Sequence, residues 1–287
     1  MCVNFFKAFA NPISLLLLLV LLCSCSSLFY LPSKEVATTP AEIGLPYEPI
    51  SLVNHDEPTL SAWFLPSNIP SAPTVLFLHG NAGNMGSHLA SVYWLPHEGF
   101  NVFMFDYRGY GSSQGSASLE GAHRDILRAV DYLRSRQELT KHGLILYGQS
   151  LGATMALSTA ARPELHDVFS TIVAESPFAS YSVIAAEKAA LLWLTYPFQW
   201  LVRLSISDAY SPNRQIEGLR GPPILLIAGG RDQTVPQHHT EQIYTLLDKN
   251  PLYWVYPEAD HLGIFQSADR RKRLARYFEK ATKSSDR

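Results

Sequence analysis

The chain has 287 residues, a formal net charge of −2, 47% hydrophobic residues and 17% charged residues. That apolar fraction excludes a disordered chain, and the near-neutral charge argues against nucleic acid as the main partner, because phosphate binding needs a basic face. Three cysteines, Cys2, Cys23 and Cys25, all fall within the first 25 residues, so disulfides, cysteine-based metal sites and a cysteine nucleophile are excluded from the rest of the chain.

At the amino terminus Lys7 precedes the apolar run 13–22, and no acidic residue occurs before Glu35. A cationic start followed by a short apolar core predicts a secretory signal, here residues 1–24. Its core of about ten residues is short for a membrane span, which needs roughly 20. Leu22-Cys23-Ser24-Cys25 resembles a bacterial lipobox, which implies cleavage before Cys25 and acylation of that cysteine. Cys23 is unusual at its position in such a motif, and an uncleaved anchor helix over 5–28 is the alternative. Either way the chain is expected outside the cytoplasm, tied to a membrane of the cell envelope. Attached acyl chains would anchor it stably, and Ser26 after the cysteine implies the outer membrane if the host is Gram-negative. Residues 25–47 read as a linker dotted with Pro32, Pro40 and Pro46.

A length near 290 permits one large α/β domain or two small ones. Apolar runs at 74–79, 101–106, 144–147, 171–174, 224–228 and 252–256 are bounded by Gly, Pro or polar turns and predict strands covered on both faces. Helical patterns at 119–136, 151–162, 238–247 and 268–280 lie between or after them. The alternation predicts a mostly parallel central sheet with helices on both faces over about 48–284, where sites form at the carboxyl ends of strands.

The chemistry-bearing residues fall at those strand ends. Gly148-Gln149-Ser150-Leu151-Gly152 follows one strand and opens one helix, the context of a nucleophile elbow. A serine hydroxyl needs a base. Three histidines follow the strand at 224–228, and His261 is the one placed just past a later strand. His238 and His239 read as the start of a surface helix, and a metal role for that pair lacks further ligands. Asp232, past the strand at 224–228, is the expected acid, with Glu175 as its rival. The order Ser150, Asp232, His261 is that of an α/β-hydrolase triad. Leu151 would supply one oxyanion donor through its backbone N–H and Asn81, after His79-Gly80, the other. His79 reads as structural, and Asp106 as ordering the turn 107–113.

Together, HGNAGN (79–84), FDYRGYGSS (105–113), GQSLG (148–152), ESPF (175–178), GGRDQTVP (229–236) and ADHLG (259–263) resemble the Bem46-like branch of the α/β-hydrolases over about 48–282. Relatives often carry a glycine where Ala259 stands, which implies a local loop change. The resemblance implies an α/β-hydrolase fold with a small helical cap at about 178–210. It also implies a serine hydrolase acting on a small acyl ester or thioester, including fatty acyl groups, without metal or organic cofactor. A peptidase of the same fold, or a catalytically silent membrane-anchored scaffold, is the alternative. The cap segment, with Tyr181, Trp193, Tyr196, Phe198, Trp200 and Leu201, is expected either to pack on the sheet above Ser150 or to form an acyl-chain wall. Arg270, Arg271, Lys272, Arg273 and Arg276 read as a solvated helix face, or else a contact for anionic headgroups.

Overall fold

A computed structural model of the protein describes residues 30–191, 193, 195–217, 219–248 and 251–285. The expected signal, with Cys23 and Cys25, lies outside the described residues. Among the described residues no helix is long and apolar enough to cross a membrane. The chain divides into two compact units, one of Leu31–Ala179 with Ala209–Arg287 and one that includes Ser180–Asp208.

The larger unit is built on strands β1 (Leu31–Pro32), β2 (Glu48–Asn54), β3 (Glu57–Leu65), β4 (Thr74–Leu78), β5 (Ala82–Gly83), β6 (Asn101–Phe105), β7 (Leu144–Gln149), β8 (Thr171–Glu175), β9 (Ile224–Gly229) and β10 (Leu252–Tyr256). Eight of them form one sheet in the order β10-β9-β8-β7-β4-β6-β3-β2. All its pairings are parallel except those of β3, which runs antiparallel to β2 and β6. The strands of the middle are buried along their length, as continuous apolar runs require when helices cover both faces. This is an α/β-hydrolase fold.

The hairpin β2–β3 is the part of the sheet that the apolar-run criterion passes over. On β2 only Leu52 is buried, between exposed neighbours, and on β3 Leu60 is buried between half-buried neighbours before the stretch 62–65 becomes fully buried, so the hairpin is wet along β2 and enters the core at the end of β3. Asn54 pairs with Glu57 across a two-residue loop, where the Asp56 N–H donates to Asn54 Oδ1 at 3.0 Å, an Asx turn.

Helices α1 (Leu119–Ser135), α2 (Leu151–Ala160), α3 (Tyr181–Ala190), α4 (Gln199–Ser205), α5 (Gln237–Leu246) and α6 (Ala268–Ser285) complete the longer elements. Ser118 caps α1 by accepting from the Gly121 N–H at 3.2 Å, and Ala122, Ile126, Ala129, Val130 and Leu133 form its buried stripe. On α5 His238 is exposed but His239 is fully buried, and their rings lie against each other with centroids 4.3 Å apart, so the pair is not a simple surface feature. On α6 Leu274 and Phe278 are buried in the core, as their spacing requires. Three of its arginines do more than face solvent, among them Arg271, whose Nη1 donates to Tyr93 Oη at 3.2 Å. The Arg273 guanidinium lies 4.0 Å from the Trp254 ring centroid and that of Arg270 lies 4.7 Å from Tyr256, a cation–π arrangement that also covers the edge of β10.

The stretch 31–47, linker-like in composition, is ordered. Leu45 is buried in the core cluster, and Val36 and Tyr47 pack against it. The unit that includes Ser180–Asp208 is tied at its two ends by one carboxylate. Asp208 Oδ1 accepts from Ser180 Oγ at 2.8 Å and from the Ser182 N–H at 3.1 Å, and Asp208 Oδ2 accepts from Ser182 Oγ at 2.5 Å. Ser180 also caps α3 by accepting from the Val183 N–H at 3.1 Å.

His123 gives the larger unit a pH-sensitive element. It is buried, stacks on Tyr210 with ring centroids 4.5 Å apart, and is held down to about 4 by burial, with Arg162 adding to the effect. In the unfolded chain an imidazole takes its proton near 6.5. The stability His123 provides is therefore complete above about 6.5 and is lost as pH falls toward 4. Urea unfolding at pH 7 and pH 4.5 should show the wild type losing about 2–3 kcal/mol more than His123→Phe does. Equal losses in the two proteins would show that this imidazole titrates normally when folded.

Candidate active site

The elbow after β7 places Ser150. Its backbone has φ 54° and ψ −115°, a conformation that costs a β-carbon-bearing residue free energy and persists only where surrounding structure enforces it. Two contacts enforce it here: the Ser150 N–H donates to the Glu175 carbonyl at 2.8 Å, and the Ser150 carbonyl accepts from the Thr154 N–H at 3.1 Å. A β-carbon at Gly148 would collide with the Gly152 carbonyl, and one at Gly152 with that of Leu78, so only glycine fits either position. Leu151, buried, opens α2.

Asp232 and His261 follow β9 and β10, neighbouring parallel strands. His261 Nδ1 lies 2.7 Å from Asp232 Oδ2. The other carboxylate oxygen, Asp232 Oδ1, accepts from the N–H groups of Thr234 at 2.9 Å and Val235 at 2.8 Å. Burial by itself would raise this carboxyl. The hydrogen bond and charge of His261, with the Val235 N–H, outweigh it and hold Asp232 below the ordinary carboxylate range. A carboxylate so fixed is ionised and can direct only Nδ1–H toward itself, which leaves Nε2 of His261 as the basic nitrogen. Ala259 is buried against Gly229, and its carbonyl accepts from the Arg231 N–H at 2.9 Å. The loop that carries His261 is thereby fastened to the loop that carries Asp232.

Glu175 ends β8 but does not hydrogen-bond His261. It is fully buried and accepts from Tyr147 Oη at 2.5 Å and from Gln149 Nε2 at 2.6 Å. Burial raises its carboxyl, so it braces the floor of the elbow while Asp232 holds the histidine. Four non-glycine residues among those described have positive φ. Three of them, Ser150 at 54°, Ser176 at 51° and Leu262 at 58°, sit at this site, each at or beside a residue just named. Such clustering marks a region where backbone strain is kept for geometry.

Asn81 lies on the loop after β4. The histidine before it, His79, is structural as expected: buried, held down to about 3 by burial and then by His88, with Nδ1 2.7 Å from the Gly80 carbonyl. Its Nε2 stands 3.6 Å from Asp106 Oδ1, too far for a hydrogen bond. Asp106, pushed up to about 6 by burial, accepts from the Met85 N–H at 2.7 Å, and its carbonyl accepts from Ser113 Oγ at 2.6 Å. It therefore fastens the helical turn Met85–His88 as well as the turn 107–113.

Several supports of this loop were not legible in the sequence. Tyr107 Oη donates to the His79 carbonyl at 3.1 Å, and Tyr110 Oη donates to the Asn81 carbonyl at 2.8 Å. His88 stacks on His79, with centroids 5.4 Å apart, and its Nε2 meets the Ala82 carbonyl at 3.0 Å. The two tyrosines lie in the motif FDYRGYGSS, which marks them as part of a unit without saying what they touch. Arg108 in the same motif is a lock: Nε and Nη2 grip Asp125 at 3.0 and 2.7 Å, and Nη2 meets Glu57 at 2.8 Å.

Comparison with known proteins places this geometry in context. The sequence profile of the prolyl oligopeptidase family matches residues 87–285. The protein YfhR of Salmonella typhi is 34% identical over 250 residues, 83% of this chain and 81% of its own length. Bem46 of Schizosaccharomyces pombe is 33% identical over 209 residues, 71% of this chain and 67% of its own. Among solved structures an esterase of Pyrococcus furiosus superposes with a TM-score of 0.70 at 23% identity, covering 89% of this chain and 98% of the esterase, which shows a shared fold. The chain therefore belongs to the prolyl oligopeptidase family of α/β-hydrolases, with Bem46 and YfhR among its relatives.

Proposed function

We infer that the protein is a serine hydrolase that cleaves a carboxylic ester or thioester through an acyl-enzyme on Ser150. The observation that carries this reading is the 2.7 Å contact between His261 Nδ1 and Asp232 Oδ2, past the ends of β10 and β9 in the sheet whose β7 leads into a serine at φ 54°. In this reading Nε2 of His261 takes the proton as Ser150 Oγ attacks the acyl carbon. The oxyanion is held by the backbone N–H groups of Asn81 and Leu151. The alcohol or thiol leaves with the proton from His261, and the ester bond to Ser150 remains. Water then attacks that ester, His261 again takes and returns the proton, and the carboxylic acid departs. The sequence supports an envelope location, tied to a membrane through acylated Cys25.

The family match favours a second reading, a peptidase. Both bonds go through the same acyl-enzyme, so substrate preference separates them. The test sets p-nitrophenyl esters from acetyl to palmitoyl against aminoacyl p-nitroanilides, with a fluorophosphonate to count reactive serines. The expected result is ester turnover with a chain-length optimum and one label per chain at Ser150. Faster turnover of the anilides would replace the esterase reading with the peptidase one. No turnover and no label on folded protein would leave a scaffold.

A further inference from the structure

An oxyanion donor lowers a barrier only when it is already in place as charge develops. The loop that carries Asn81 contains Gly80 and Gly83, the latter at φ 85°, so its own sequence does little to fix it. It also leaves the main sheet at Leu78, and β5 within it pairs only with β1 among the described strands. The strap that holds it is the segment just after residue 30.

Leu31 and Pro32 lie parallel to Ala82 and Gly83. The Ser33 N–H donates to the Gly83 carbonyl at 2.8 Å, and the Leu31 N–H meets Asn81 Oδ1 at 3.4 Å. Asn84 Nδ2 returns the grip, donating to the carbonyls of Ser33 at 3.2 Å and Glu35 at 2.6 Å. The strap is itself fastened to the turn that bears Tyr110: the Gly111 N–H donates to the Ser33 carbonyl at 2.8 Å and Lys34 Nζ to the Ser113 carbonyl at 2.8 Å. Asn81 is thus held between two elements, the strap at its side chain and Tyr110 at its carbonyl.

We propose that Leu31–Val36 is a positioning element of the hydrolytic site, a strap that fixes the Asn81–Asn84 loop in the conformation able to stabilise the oxyanion. The proposal rests on the serine-hydrolase reading and on Asn81 as an oxyanion donor. It gives the first described residues after the expected anchor a part in rate rather than in tethering. Proline at position 33 removes the one N–H given to Gly83 while suiting an extended chain after Pro32. Asn84→Asp keeps the acceptor that caps the turn at Ser87 and removes the donor to Ser33 and Glu35.

The experiment uses the full chain in detergent micelles, as wild type, Ser33→Pro and Asn84→Asp. Five quantities are read: kcat and KM on a p-nitrophenyl ester, and affinity for an alkyl trifluoromethyl ketone, whose carbonyl carbon bonds to Ser150 Oγ and leaves an oxyanion. The others are the melting temperature and amide hydrogen exchange over residues 79–84. Both variants should lower kcat by about tenfold to a hundredfold with KM within about twofold. Ketone affinity should fall by a similar factor and exchange over 79–84 should quicken, with the melting temperature nearly unchanged in Ser33→Pro and lowered in Asn84→Asp, whose carboxylate would be buried against two carbonyls. Two results overturn the proposal: faster exchange with kcat and ketone affinity intact, or a fall in all parameters that tracks a lowered melting temperature in Ser33→Pro. A wild type that neither turns over ester nor binds the ketone removes the hydrolase reading itself, and is visible before any variant is made.

Discussion

Ser150→Ala should lower kcat for ester hydrolysis on the order of a millionfold, while KM and the melting temperature stay close to wild type. The size of the effect follows from the role proposed for the serine. Without Oγ there is no acyl-enzyme, and the remaining groups can only assist direct attack by water, which leaves a residual of roughly 10³–10⁴ over the uncatalysed rate. The substitution also acts on a strained residue. Alanine meets the same backbone penalty as serine at φ 54°, because the penalty arises from the β-carbon and both carry one, so the elbow should survive. Loss of phosphonate labelling together with loss of turnover would identify the nucleophile. Retention of turnover above about 10% of wild type, set against the expected factor, would place the reaction elsewhere.

The second large effect separates two buried carboxylates. Asp232→Asn should lower kcat on the order of 10⁴-fold, because the amide presents N–H or carbonyl to His261 without fixing Nδ1–H, and no charge remains to stabilise the imidazolium. Glu175→Gln should cost far less, within about tenfold, since the carboxyl already sits where burial raises it and its work is to accept from Tyr147 and Gln149. A glutamine oxygen can still accept one of those bonds, and the mismatch at the other should appear as about 1–3 kcal/mol of lost stability. The reverse order of kcat losses would make Glu175 the acid of the triad. The 2.7 Å contact of Asp232 with His261, and the lack of a hydrogen bond from Glu175 to His261, argue for the order given.

Much of the site was readable before any coordinate. The order of Ser150, Asp232 and His261 along the chain, each just past an apolar run, needs only the rule that parallel strands present their carboxyl ends together. The runs at β4, β6, β7, β8 and β9 are legible because strands covered on both faces must be apolar throughout, whereas β10 carries an apolar run although it is an edge strand, exposed at Leu252 and half-buried over 253–255. The hairpin β2–β3 escaped that criterion because β2 lies exposed at the sheet edge and β3 becomes fully buried only over 62–65. Composition misled at residues 31–47, where prolines and polar residues suggest a linker. A segment bonded through its backbone leaves little trace in its side chains, so Ser33 and Leu31 could not announce their partners.

The sequence by itself determined the α/β architecture, the elbow at Ser150, and the short set of strand-end residues on which the proposed triad draws. Those features depend on local pattern: apolar period, glycines where a β-carbon collides, and polar residues at strand ends. Only the tertiary structure put Asp232 rather than Glu175 within hydrogen-bond reach of His261, buried His239, gave Tyr107, Tyr110 and His88 their contacts, and laid the strap along the Asn81 loop. Each of these is a contact between residues far apart in sequence. Its distance is set by how the sheet twists and which loops meet above it, and no local pattern encodes that.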